Sequence, residues 1–223
     1  MSVEFDSLLR ADFPASTDKE VVRVVAEGVG LADDMRRNTP WLMNHVGDDL
    51  RGVLRRAATI FRFEQACKEG ALPFQAIEIE NTTGSSHLLR ITAGRFEAHI
   101  VRTETEKSFP KDAPIRQDCR LRNQGDLFLE PKIVPLKELG EEILAMYAWL
   151  TFNADCMGRL THVCWCMPER DRNVFLGRLN LLRSDFGEMP IEPHTPPPPD
   201  PKSRMKFKDF MDRAIEIQKK DKN

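Results

Sequence analysis

The periodicity of the apolar residues changes at Leu72-Pro73, and this change constrains the fold more than any other feature of the chain. Before it, apolar residues recur every three or four positions, which is typical of helices packed on one side. From residue 75 to residue 103 they alternate with polar residues, which is typical of strands. The sequence therefore predicts an α+β fold: N-terminal helices, a central mainly antiparallel sheet with helices on one face, a Pro-rich tether and a C-terminal amphipathic helix.

Two helices are predicted in the N-terminal portion, residues 1–72. The first begins near Thr17, and Gly28 and Gly30 weaken it, so that two short pieces are an alternative to one rod. The second takes Thr39 as its N-cap and Pro40 as its first residue. Its apolar residues are expected to face the core: Leu42, Val46, Leu50, Val53, Leu54, Ala57, Ile60 and Phe61. Its polar side is a solvated face or a phosphate-binding surface, with Arg51, Arg55, Arg56 and Arg62.

Three strands are predicted at residues 75–81, 86–92 and 95–103. A turn at Ala93-Gly94 joins the last two and would set Arg90 opposite Glu97. If Ile77 and Ile79 of the first strand join the apolar side, the other face collects three acids, one arginine and one histidine. These five residues are Glu78, Glu80, Arg90, Glu97 and His99.

This face has two interpretations. As an active site it would cleave an RNA phosphodiester without a metal ion or cofactor, with Glu78 or Glu80 as the base, His99 as the acid and Arg90 as the phosphate clamp. As scaffold it is the solvated side of an antiparallel sheet, where Glu–Arg pairs are common. The scaffold interpretation is favoured, and a paired-acid metal nuclease is set aside because the acids lack a following Glu-x-Lys pattern.

A long polar connection interrupted by prolines is predicted after the third strand, at residues 104–135. It gathers arginines and amides able to contact phosphates and base edges. These residues are Arg116, Arg120, Arg122, Asn123 and Gln124. Alternatively, the guanidinium groups fix the connection to its own domain, and both readings stay open because they use the same hydrogen-bonding capacity.

Further helices are predicted at residues 136–157 and 168–187, on either side of a strand at 159–168. That strand places His162, Cys164 and Cys166 on one face. A metal site is discounted, because Cys-x-Cys without a second spaced pair is a weak zinc signal, and a buried strand is favoured.

The composition changes again near residue 190. Residues 1–189 are predicted to form one globular domain, residues 190–202 a Pro-rich linker, and residues 203–223 an interaction helix. The apolar side of this helix carries Phe207, Phe210 and Met211. Such a helix is expected to dock on its own domain, on a second copy of the chain or on a partner protein.

Charge and cysteine content limit the function classes. A net charge of −2 means that any contact with nucleic acid requires a local basic patch. Five irregularly spaced cysteines indicate free thiols, and the lack of a signal segment or a long apolar run predicts a cytoplasmic protein without a membrane role. The expected function is that of a binding or regulatory protein in a complex, with contact to nucleic acid as one option; the alternative is a ribonuclease-like enzyme.

Overall fold

The structure, a computed structural model, describes residues 5–80, 87–111, 113–123 and 146–183. Four α-helices are described: α1 Phe5–Asp12, α2 Asp18–Arg37, α3 His45–Lys68 and α4 Pro114–Arg120. Short 3₁₀ turns lie at Ala15–Thr17 and Pro40–Met43. The strands are β1 Gln75–Glu80, β2 His87–Ala93, β3 Phe96–Arg102, β4 Met146–Ala154, β5 Leu160–Pro168 and β6 Phe175–Asn180. The predicted α+β class and the first three strands are confirmed.

The six strands form one sheet in the order β1-β2-β3-β4-β5-β6. All neighbours are antiparallel except β3 and β4, which are parallel and align Phe96 with Met146 and Arg102 with Phe152. Antiparallel strands can be joined by tight turns, but a parallel pair requires a crossover. The described part of this crossover contains α4, so the connection from β3 to β4 is also a structural layer.

The N-terminal helices pack on one face of the sheet and form the main core. Its centre is aromatic: the Phe13 ring stacks on Trp165 with centroids 4.0 Å apart, and Phe63, Phe74 and Phe96 lie around them. Burying a large apolar side chain contributes roughly 1.5–3 kcal/mol. This aromatic group therefore ties the end of α1 and helix α3 to three parts of the sheet: the start of β1, β3 and β5.

The second face of the sheet is covered by the crossover. Val101, Cys119, Tyr147 and Trp149 form a smaller core there, and Phe109, Ile115 and Phe175 pack against it. Strands β4 and β5 are consequently buried on both faces.

Two predicted helices are wrong. Residues 146–154, within the predicted helix 136–157, form β4, and residues 175–180, within the predicted helix 168–187, form β6. A strand buried on both faces has no polar alternation, so a run such as MYAWLTF is compatible with a buried helix as well. The prediction of a buried strand around Cys164 and Cys166 is confirmed.

The N-terminal helices differ from expectation in detail. Asn44, not Thr39, caps α3, its side chain accepting a hydrogen bond from the Gly47 amide. The apolar residues of α3 do not all face the core, because the side turned inward includes Arg55, Thr59 and Phe63, and Val46 and Val53 are exposed. Arg55 is buried because its guanidinium pairs with Asp33 at 2.7 Å and donates to the Ala154 carbonyl at 2.9 Å.

The crossover also contains more regular structure than predicted. Pro114 begins α4 at the first helical position, where a missing amide hydrogen costs nothing, so this proline starts a helix and does not break one. Within the described residues no helix has the length and apolar character needed to span a membrane. The predicted linker and interaction helix lie outside the described residues.

Helix α2 is one continuous helix, and Gly28 allows it to lie very close to α3. A β-carbon at Gly28 would lie 2.5 Å from the Cα atom of Thr59, whereas one at Gly30 would meet nothing within 4 Å. The two glycines on the same helix therefore have different roles, although the sequence gives them equal weight.

We expect Gly28→Ala to lower the free energy of unfolding by about 2–3 kcal/mol, because the new methyl group must push the two helices apart. Gly30→Ala is the matched control and should raise it by roughly 0.5–1 kcal/mol through better helix propensity. Urea titrations of both variants measure the difference. Equal shifts would contradict the close approach at Gly28.

Candidate functional site

The predicted polar face is only partly assembled, because β1 has the opposite orientation. Glu78 lies opposite Leu89, and Glu80 opposite His87, while Ile77 lies opposite Arg90. Directly opposed residues share a face, so the prediction that placed Glu78 and Glu80 with Arg90 is wrong. The physical reason is Phe74, whose buried ring packs in the aromatic core and thereby turns the even-numbered residues of β1 toward the helices.

Strands β2 and β3 pair only near their turn. The register joins Ile91 to Ala98, Thr92 to Glu97 and Ala93 to Phe96, two residues away from the predicted register, so the faces are as predicted but the partners differ. Arg90 and Glu97 are diagonal neighbours with 3.4 Å between nitrogen and oxygen. Beyond these three pairs, residues 87–90 and 99–102 are not paired with each other. We call this unpaired stretch of β2 and β3 the notch.

His99 stands on β3 at the notch and is 4% exposed. Its Nδ1 atom lies 2.9 Å from the Tyr147 hydroxyl, which in turn accepts a hydrogen bond from Trp149 Nε1 at 2.8 Å. The Tyr147 hydroxyl accepts this hydrogen bond and can donate its own proton to His99 Nδ1. This arrangement suits a neutral imidazole whose proton is on Nε2.

Burial, followed by the positive charges of Arg122, Arg56, Arg90 and Arg116, lowers the pKa of His99 to about 4. His99 is therefore neutral near pH 7 and does not carry the proton that the general-acid hypothesis requires. Four guanidinium groups are thus near enough to His99 for their charges to lower its pKa. We call Arg56, Arg90, Arg116 and Arg122 the arginine cluster.

The four arginines come from separate parts of the chain. Arg90 is on β2, Arg116 on α4, Arg122 just after α4, and Arg56 reaches in from α3, its Nε atom donating to the Ile100 carbonyl at 3.4 Å. Ile100 belongs to the part of β3 that β2 does not pair. The notch and the arginine cluster are therefore the same place in the fold.

Glu97 is the carboxylate at the centre of the cluster. Its Oε1 atom contacts Arg90, its Oε2 atom accepts a short hydrogen bond from Arg122, and its side chain is 15% exposed. One carboxylate thus orients two guanidinium groups. Arg90 and Arg122 remain accessible, with side chains 40% and 33% exposed.

Arg56 differs from the other arginines of α3. Arg51 pairs with Asp48, Arg55 with Asp33 and Arg62 with Glu27. Among the described residues no carboxylate pairs with Arg56, and burial, together with the charge of Arg116, lowers its pKa. The sequence allowed two interpretations of this arginine face, a solvated surface or a phosphate-binding one. The missing ion pair that distinguishes Arg56 is visible only in the structure.

Two of the predicted binding residues are structural. Arg120 donates to the Arg170 carbonyl and to Asn173 Oδ1, both at 2.8 Å. Asn123 is fully buried and forms three hydrogen bonds of 2.8 Å, with the Tyr147 amide and with the carbonyls of Tyr147 and Pro168. These contacts fasten the crossover to β4, β5 and the loop that follows β5.

The remaining predicted contacts cannot be placed. Gln124 on the crossover and Phe207, Phe210 and Met211 on the C-terminal helix lie outside the described residues. Over the part of the chain that the structure describes, no three His, Cys, Asp or Glu side chains are grouped as metal ligands.

No protein-family model matches the chain, and neither a curated protein nor a solved structure matches it. Function is therefore inferred from the chemistry of the notch.

The buried His99 predicts a pH dependence of stability. Its pKa is lowered in the folded protein, so between about pH 6.5 and pH 4 the unfolded chain binds a proton that the folded chain does not. Stability should fall as the pH decreases through this window, by about 3 kcal/mol from His99 alone. Urea titrations at several pH values measure this slope.

His99→Gln should flatten the slope without abolishing it, because burial also lowers the pKa of His162. His87→Gln, at an exposed position of β2, is the control and should keep the wild-type slope. If His99→Gln retained the full slope, the neutral buried imidazole would be refuted.

Proposed function

We propose that the protein is a nucleic-acid-binding protein that holds the phosphate backbone in the notch through the arginine cluster. The observation that supports this most directly is the sharing of one carboxylate, Glu97, by Arg90 and Arg122. Arg56 contacts the same strand at the Ile100 carbonyl and has no carboxylate partner among the described residues. This count gives three positive charges and one negative charge, without including Arg116. A phosphate would supply the missing negative charge.

Arginine suits this role better than lysine would. A guanidinium group presents a planar fork of donors that matches two phosphate oxygens. Glu97 fixes the direction of two such forks, so less rotamer freedom is lost on binding. The overall charge of −2 gives no general attraction for polyanions, and the proposed recognition is therefore local.

Binding is favoured over cleavage by the placement of the acid–base groups. The two glutamates proposed as bases lie on the helix side of β1, and His99 is buried and neutral. A sequence-independent backbone contact is favoured because the accessible groups of the notch are guanidinium forks, which fit phosphates. The role is that of a binding or regulatory protein.

The proposal predicts salt-sensitive binding of a fluorescein-labelled 20-nucleotide RNA, measured by fluorescence anisotropy. Arg56→Gln and Arg90→Gln should each weaken binding about 3- to 10-fold and reduce the slope of log K against log salt by about 1, because each removes one phosphate contact. Arg172→Gln, which removes an equal charge from an exposed loop position, should have no such effect.

Two results would contradict the proposal. One is the absence of binding at 50 mM salt to this RNA and to a duplex DNA of the same length. The other is equal weakening by Arg172→Gln and Arg90→Gln, which would indicate diffuse charge attraction. Incubated RNA should remain intact, and its cleavage would favour the enzymatic alternative.

A further inference from the structure

The outward side of α3 carries an unusual amount of apolar surface. The exposed fractions are 66% for Val46, 36% for Leu50, 63% for Val53 and 49% for Phe61. The turn just before α3 adds Trp41 at 64% and Met43 at 59%. Scattered exposed apolar residues are normal, but these form one continuous series along a helix.

The spacing of this series is that of a helix-pairing seam. Val46, Leu50, Val53, Ala57 and Ile60 follow one another at steps of four, three, four and three residues. This is the a/d pattern by which two helices pack together. We call these five residues the α3 seam. At 100° per residue Val46, Leu50, Val53 and Ala57 lie roughly opposite the buried residues of α3 and are exposed. Ile60, at the end of the seam, is half-buried and also packs against the main core.

The length and charge of the series identify its partner. The exposed apolar residues run from Trp41 to Phe61 and are centred near Gly52, so an antiparallel copy would place Val46 beside Ala57, Leu50 beside Val53, and the Trp41–Met43 turn beside Ile60 and Phe61. The acids Asp48 and Asp49 lie near the start of α3, and its arginines lie from residue 51 to residue 62. Antiparallel pairing opposes the two helix dipoles, whereas parallel pairing would place the acids at the start of one α3 beside those of the other.

We infer that the protein forms a symmetric homodimer in which two α3 seams pack antiparallel around a two-fold axis near Gly52. The exposed series presents on the order of 600 Å² of apolar surface. This is the upper end of the range for the largest exposed apolar patch on a typical monomer. A standard interface buries roughly 800 Å² per partner, so the seam and its flanking turn supply most of what a specific dimer needs. The contact is isologous, as most homodimer contacts are.

Light scattering coupled to size-exclusion chromatography of the full chain tests the association. We expect a mass twice the 25.6 kDa of one chain at micromolar concentration. Val53→Glu places a carboxylate in the centre of the seam and should weaken dimerisation at least about 100-fold, because burying an unpaired charge is costly. Val174→Glu is the matched control, since Val174 is also an exposed valine, at 47%, but lies in the loop between β5 and β6.

Disulfide trapping tests the orientation. In a Cys156→Ser background, which removes the exposed native thiol, the double variant Val46→Cys/Ala57→Cys should oxidise to a covalent dimer. Each single variant should not, because in the antiparallel register Val46 of the two copies are about 16 Å apart along the helix axis. Circular dichroism confirms that each variant is folded.

A monomer at 100 µM would overturn the inference, and so would a dimer that Val53→Glu and Val174→Glu weaken equally. Rapid cross-linking of the single variant Val46→Cys would overturn the antiparallel arrangement. RNA binding is measured with separate variants, so failure of the dimer and failure of the arginine cluster are distinguishable.

Discussion

The parallel pairing of β3 with β4 is the constraint on which the rest of the structure depends. It requires a crossover, and the crossover brings α4 and the segment after it over the sheet face that the N-terminal helices leave free. Asn123 secures this layer by bonding to the backbone of Tyr147 and Pro168. Arg116 and Arg122 both lie in the segment that leads to this anchor, so the same layer that completes the fold also carries half of the arginine cluster.

The sequence identified β2, whose two faces differ in burial, and missed β4, which is buried on both faces. In β2, buried Leu89 and Ile91 alternate with less buried Arg90 and Thr92, and the alternation predicts a strand directly. In β4 both Leu150 on the helix side and Tyr147 on the crossover side are buried, and no charged residue marks the period of two. The crossover that buries the second face is distant in sequence, and therefore local periodicity contains no trace of it.

For the candidate site too, the sequence predicted only the part that depends on local strand alternation. Arg90, Glu97 and His99 share a face because strand alternation within a tight hairpin is a local property. The orientation of β1 was not predictable, because it depends on whether Phe74 or Ile77 enters the core, and the aromatic cluster that accepts Phe74 is built from four other segments. In the sequence, Arg56 cannot be distinguished from the other three arginines of α3. The structure shows that those three have carboxylate partners.

The short pairing of β2 with β3 has a mechanical consequence. Only three residue pairs beside the Gly94 turn join these strands, so the free ends of the β1–β2 hairpin can shift against β3 without breaking ladder hydrogen bonds. Arg90 belongs to this hairpin, whereas Arg56 and Arg122 belong to elements anchored elsewhere. An anion held by all three would clamp the hairpin to the rest of the domain, so ligand affinity and the opening of the hairpin are thermodynamically linked. With such an anion bound, the notch would act as a joint between two parts of one sheet, and the stiffness of this joint would depend on its occupancy.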